Sequence, residues 1–197
     1  CGELLLNERI GDLKAAYDRF LIEPFERDPK CMAKQAIARA LLTLECIDTA
    51  FFLAGIRYRQ LEPAWGGSTD TAVDIRCSCA MGLVASGYFR ALAELTELLG
   101  DPEVRAREGA VRAISCGNPQ AAEVLLRFKA IAGDAEPDVL GECFIGLMSI
   151  APEESAAFVA EHLLDRDDAI RDLAALALGQ SRHPSAIAHL RAAWDQA

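Results

Sequence analysis

The sequence predicts an all-α protein built as an array of about five helical hairpins preceded by one further helix, and three observations carry that expectation. The first is a skeleton that recurs. The stretch Asp167 to Gly179 places a small apolar residue four after Ile170, at Ala174, and the pair Ala177 and Leu178 seven and eight after it, with Arg171 directly following. Weaker copies take Val139, Ala106, Ile75 and Ala33 as their reference, so references 33, 75, 106, 139 and 170 lie 42, 31, 33 and 31 residues apart. The second is punctuation. Asp28-Pro29 and Asp101-Pro102 stand where first helices begin, and Asn118-Pro119, Ala151-Pro152 and His183-Pro184 where second helices begin. Such pairs supply a capping oxygen or a residue with no amide hydrogen at the point where a helix leaves amides unpaired. The third is apolar spacing of the 3.6-residue kind within each segment, with 52% apolar and only 7% aromatic residues to form a Leu, Ala, Ile and Val core.

Taken in order, residues 7–22 show Ile10, Leu13, Ala16 or Tyr17, and Phe20 or Leu21 at helical spacing and read as the remnant of a preceding repeat, stopped by Pro24. The helices that follow are expected at 30–44 with 47–61, 72–86 with 88–99, 102–115 with 118–132, 136–150 with 152–164, and 167–180 with 184–195. As a single domain, 1–197, the chain divides into repeats of about 28–61, 70–100, 101–133, 134–165 and 166–197. Neither helix of a pair can cover its own apolar faces, so residues such as Ile170, Leu173, Ala174, Leu176, Ala177 and Leu178 need cover from neighbours. Small residues at Ala110, Gly146 and Ala177 let the helix axes approach.

These units resemble HEAT repeats, specifically the short HEAT-like repeats of phycobilisome lyases. Their pattern Asp-Pro-x-Val-Arg-x-x-Ala-x-x-Ala-Leu-Gly is similar to Asp168 to Gly179 and approximately to Asp101 to Ile114, and the likeness covers residue 28 to the end. The tetratricopeptide and ankyrin signatures are missing. The resemblance implies a right-handed α-α superhelix. It also implies that Lys34, Arg76, Arg107 and Arg171 bond turn carboxylates or helix ends, a ligand-binding row being the lesser alternative. The fourth repeat has Leu140 at that position, which places a continuous Arg ladder in doubt there.

Net charge is -10, and residues 61–197 carry all of it, with 11 basic against 21 acidic side chains. A phosphate backbone is repelled by such a surface, so nucleic acid is not the expected partner. No apolar run approaches the roughly 18 residues of a membrane span, and the expectation is a protein of the cytoplasm with no membrane association. Seven cysteines without framework spacing read as reduced thiols. Cys77 and Cys79 point about 200° apart on a helix and cannot share a tetrahedral ion, and Cys79 and Cys143 take small core positions. Cys1 opens the chain in place of Met, which fits either a lipid-modified mature N-terminus or a piece of a longer protein.

Catalytic chemistry finds no pattern. His162, His183 and His189 lack metal-ligand spacing, Gly66-Gly67 lacks the Lys-Ser of a phosphate loop, and Glu153-Glu154 and Asp167-Asp168 suit the first turns of helices. The expectation is no catalytic residue, no metal and no cofactor. Function concentrates where the period breaks. The insertion from Arg57 to Asp70 lengthens one spacing to 42, and insertions of this kind map to loops on one face, often the binding face. Trp65, with Arg57 and Arg59 nearby, suits an anchor for a peptide or acidic ligand. Equally, Trp65 suits a plug for the wider gap between repeats, which is the preferred reading of that ring. Second helices usually line the concave surface in such arrays. Arg90, Glu94, Glu97, Glu123, Arg127, Glu154 and Glu161 are expected exposed there, a mixed-charge face suited to protein recognition. The expected function is therefore a non-enzymatic scaffold for another protein. The alternative is a phycobilin-lyase-like or chaperone-like protein that holds a small ligand in its groove, an idea the resemblance alone supplies.

Overall fold

The structure, a computed structural model, describes residues 7–195. Cys1 lies outside them. Helices α1 (Ile10–Leu21), α2 (Pro24–Arg27), α3 (Met32–Thr43) and α4 (Thr49–Gly55) lead into a hairpin of strands β1 (Leu61–Ala64) and β2 (Gly67–Asp70). Then follow α5 (Val73–Ala85), α6 (Ala91–Leu98), α7 (Val104–Ser115), α8 (Pro119–Ala132), α9 (Pro137–Ile150), α10 (Pro152–Glu161), α11 (Asp168–Ser181) and α12 (Pro184–Trp194). The fold class is the all-α one the repeat predicts. No helix among the described residues is long and apolar enough to cross a membrane.

The chain divides into two compact units, one up to Ala113 and one from Ile114 onward. In the first, α3 packs between α1 and α5, and α4 packs on α5. The core is Ile37, Ala38, Leu41, Phe52, Ile75, Cys79 and Leu83, all buried. Close approach of α4 to α5 depends on Gly82, where a Cβ would overlap the Phe52 ring. In the second unit, α9 packs on α8, α10 and α11, and α10 packs on α12. Val139, Cys143, Phe144, Leu147, Ala174 and Leu178 fill the centre. Helix α5 also packs on α6, and α11 on α12, which with α9 on α10 are three of the helix pairs the spacing predicts.

Four expectations need correction. Pro24 opens α2 rather than merely stopping α1. Asp28 supplies the expected capping oxygen, but to a helix that begins at Met32 rather than at residue 30. Its carboxylate accepts the amides of Ala33 at 2.7 Å and Lys34 at 3.0 Å, because Lys30 and Cys31 both adopt the left-handed conformation and push the helix start to Met32. Leu176, expected to be covered, is 48% exposed. The insertion, expected as a loop, is a β-hairpin pairing Leu61 with Asp70 and Ala64 with Gly67. It replaces no repeat helix, though it leaves α4 ending at Gly55, well short of residue 61.

Elsewhere the punctuation works as the sequence implies. Asn118 Oδ1 accepts the Ala121 amide at 3.1 Å, Asp101 Oδ1 accepts that of Glu103 at 2.9 Å, and Pro119, Pro152 and Pro184 each occupy the first turn of a second helix.

Candidate functional site

The hairpin is held from below by a buried polar network. Leaving α4, the chain passes Tyr58, whose carbonyl accepts Arg76 Nη1 at 2.9 Å and whose hydroxyl donates to Gln60 Oε1 at 2.8 Å. Gln60 is buried, and its Nε2 donates to the Asp28 carbonyl at 3.1 Å and to Glu62 Oε1 at 2.7 Å. That same Glu62 oxygen accepts the Lys30 amide at 2.6 Å and the Thr71 hydroxyl at 2.9 Å. Burial alone would raise the Glu62 carboxyl, but these three donors outweigh it and hold it below its ordinary value.

Two guanidiniums then meet two carboxylates. Arg76, fully buried, donates to Asp70 Oδ2 at 2.7 Å and to Asp101 Oδ1 at 3.3 Å. Its Nε lies 3.1 Å from Asp101 Oδ2, yet the geometry is too oblique for a hydrogen bond, so charge rather than alignment links that pair. Arg59 closes the square from the solvent side, 3.0 Å from Asp101 and 3.5 Å from Asp70. Asp70 also accepts the amides of Gln60 at 3.2 Å and Ala72 at 2.9 Å. Desolvation opposes the charge on Asp70, while the Ala72 amide, Arg76 and the Gln60 amide prevail and depress its pKa.

Above this base lies a cleft of about 610 Å³, lined by the hairpin at Glu62, Pro63, Ala64 and Thr69, by Lys30, and by the first turns of α5 and α7. Asp74 and Arg105 are ion-paired at 2.7 Å along it. Lys30, which lines the cleft, and the buried Cys31 after it carry φ of 60° and 56°, consecutive left-handed torsions in residues with side chains. Their surroundings impose this conformation, through Glu62 on the Lys30 amide and the Asp28 carbonyl on that of Cys31.

Trp65 stands at the hairpin tip beside Gly66, whose φ of 85° completes the two-residue turn. Its ring is 105% exposed. The plug expectation is thereby overturned: buried Gln60 and Asp70, not the indole, occupy the base of the insertion. Nor are the arginines gathered around it. Arg57 pairs with Glu94 on α6, and Arg59 belongs to the network. Arg90 is exposed at the start of α6. Arg127 lies 3.0 Å from Glu123, donates to the Glu154 carbonyl at 2.7 Å and stacks over the Phe158 ring at 5.1 Å, so it is directed into the seam between α8 and α10. Tyr58, Gln60 and Glu62, which position the hairpin, carry no signal in the sequence beyond lying within the insertion, whereas Asp101 stands out only as a helix start and Asp70 only as the insertion's end. The signal that could have found Asp70 and Asp101 is their fixed place six residues before Arg76 and Arg107.

That spacing recurs. Lys34, fully buried, lies 2.9 Å from Asp28, Arg107 Nη1 donates to the Asp101 carbonyl at 2.8 Å, and Arg171 Nη1 to the Asp165 carbonyl at 2.9 Å. The row is structural, as the resemblance implies. In the fourth repeat the buried Leu140 replaces the cation, and Asp134 pairs instead with Lys129, 2.8 Å away at the end of α8.

The buried thiols are packing groups. Burial pushes Cys79 and Cys143 up to about 12, far from the thiolate needed for nucleophilic or metal chemistry. Among the described residues, no group of three or more His, Cys, Asp and Glu side chains is placed to hold a metal. His162 sits between Phe144 and Phe158, with ring centroids 4.6 and 5.4 Å away.

Comparison with known protein families matches residues 124–197 to the family described as HEAT repeats. The match spans less than half of the chain and covers most of the second unit. Comparison with curated proteins finds no match.

Proposed function

We propose that this chain is a non-enzymatic scaffold that binds another protein, with the 57–70 insertion and the faces of the second helices as its recognition surfaces. The HEAT-repeat match supports the general role, since such repeats commonly serve as interaction scaffolds. The observation that carries the specific reading is Trp65: a buttressed hairpin holds a large indole wholly in water beside a cleft. Tryptophan is among the residues that dominate binding energy when a partner covers them, and here the rigid support lowers the ordering cost. The bilin-type reading has less support, because it rests on the resemblance alone and the cleft mixes charged Lys30, Glu62, Asp74 and Arg105 with apolar Pro63, Ala64, Val73 and Val104 without favouring it.

Replacing Trp65 with Ala tests the proposal. The ring makes no core contact, so the melting temperature should move by no more than about 2 °C. Affinity for a captured partner should fall by roughly 30-fold, measured by titration against that partner. A large drop in melting temperature would make the ring structural, and undiminished capture would remove the hairpin from the binding surface.

A further inference from the structure

Helix α8 carries two apolar stripes. Ala122, Leu126 and Ala130 are buried and form its inner face. Val124, Phe128 and Ile131, spaced by four and three residues, are 67%, 69% and 73% exposed. Single exposed apolar residues are ordinary on a protein surface, but three at helical spacing on one face make a continuous ridge. Such a ridge beside a second helix is the geometry that accepts an amphipathic helix.

The neighbouring helix decides what kind. On α10, Glu154 and Glu161 are exposed, and Arg127 of α8 reaches the Glu154 carbonyl, so acidic side chains flank the contact between the two helices. Arg127, the cation nearest the seam, is already paired with Glu123 and turned onto Ser155 and Phe158. From Ile114 to the end the chain holds six basic against thirteen acidic side chains. A second copy of this chain would bring acid against acid at a self-complementary interface, and an anionic lipid or nucleic acid is repelled on the same ground.

We infer that the α8–α10 face docks a basic amphipathic helix of a partner protein, its apolar residues over Val124, Phe128 and Ile131 and its Lys or Arg side chains toward Glu154 and Glu161. This rests on the scaffold reading and names the class of partner.

The test titrates the full chain with a fluorescently labelled Leu/Lys peptide of about five helical turns, with Leu on one face. A scrambled peptide of the same composition and a Leu/Glu peptide of the same pattern serve as controls. The patterned Leu/Lys peptide should bind about tenfold more tightly than the scrambled one, and the Leu/Glu peptide should not bind. The variant Phe128→Ser with Ile131→Ser alters only exposed side chains, should keep its helical circular dichroism, and should lose about tenfold in affinity. Glu154→Gln with Glu161→Gln should weaken binding and reduce its salt dependence. Equal affinity for the scrambled peptide, or an unaffected Phe128/Ile131 variant, overturns the inference. So does a dimer in sedimentation that this variant dissociates, because the face would then belong to a second copy. If the peptide fails while Trp65-dependent capture of a partner persists, this inference alone is lost, whereas failure of both removes the scaffold reading as well.

Discussion

At Arg76 a full charge sits out of water, which is tolerable only because Asp70, Asp101 and the Tyr58 carbonyl surround it. Arg76→Met would take from two buried carboxylates the cation they share, leaving them Arg59 and backbone amides as partners. The expected loss is about 3 to 5 kcal/mol, read from denaturant unfolding, and a loss below about 1 kcal/mol would show that the network contributes no net stability. The fourth repeat shows the other solution, in which Leu140 fills the position with apolar volume and the turn carboxylate finds Lys129. Both outcomes were legible in the sequence because Asp and Arg or Lys recur six residues apart, and the exception is visible as a Leu. The partners Gln60 and Glu62 were not legible, since their role depends on the left-handed kink at Lys30 and Cys31, which no local pattern announces.

At the scale of elements, helix pairs were readable because apolar spacing, Asp caps and prolines all point to the same boundaries. The hairpin was not. Its strands are four residues each, one contains Pro63 and the other reads Gly-Ser-Thr-Asp, so no apolar alternation marks them. On α8 the sequence offers two apolar stripes, and the one with small residues packs inward because Ala122 and Ala130 permit close helix contact. Arg127, paired with Glu123 on its own helix, consequently turns toward α10 rather than outward. The same contrast is measurable on α11. Leu178→Ala, fully buried, should cost about 2 to 5 kcal/mol in equilibrium unfolding. Leu176→Ala, 48% exposed, should cost less than about 1 kcal/mol. Equal costs would mean that the inward face of α11 is not the one described.

Across the whole molecule, charge sets the response to pH. The chain carries a net charge of -10 at pH 7 and a pI near 4.8, so self-repulsion fades as the solution is acidified toward that point. Buried carboxylates then act in the opposite direction. Asp28 and Asp70 lie below the ordinary 3.8, each because amide and cation hydrogen bonds outweigh desolvation. A folded pKa below the unfolded one gives stability that is fully present above the unfolded value and is lost as pH falls through the folded value. The denaturant midpoint should therefore hold between pH 7 and about pH 5 and fall below about pH 4, with Asp70→Asn flattening the fall. A midpoint that stays level down to about pH 3 would separate these carboxylates from stability.

The exposed indole at the hairpin tip also determines what optical spectroscopy reports. The chain has two tryptophans, and the other, Trp194, is 82% exposed. Both fluorophores already emit from an aqueous shell in the native state, so denaturation barely changes their colour. A partner seated on the hairpin, as proposed, would shield one of them and shift its emission to the blue, so the unlabelled protein would report occupancy of that surface.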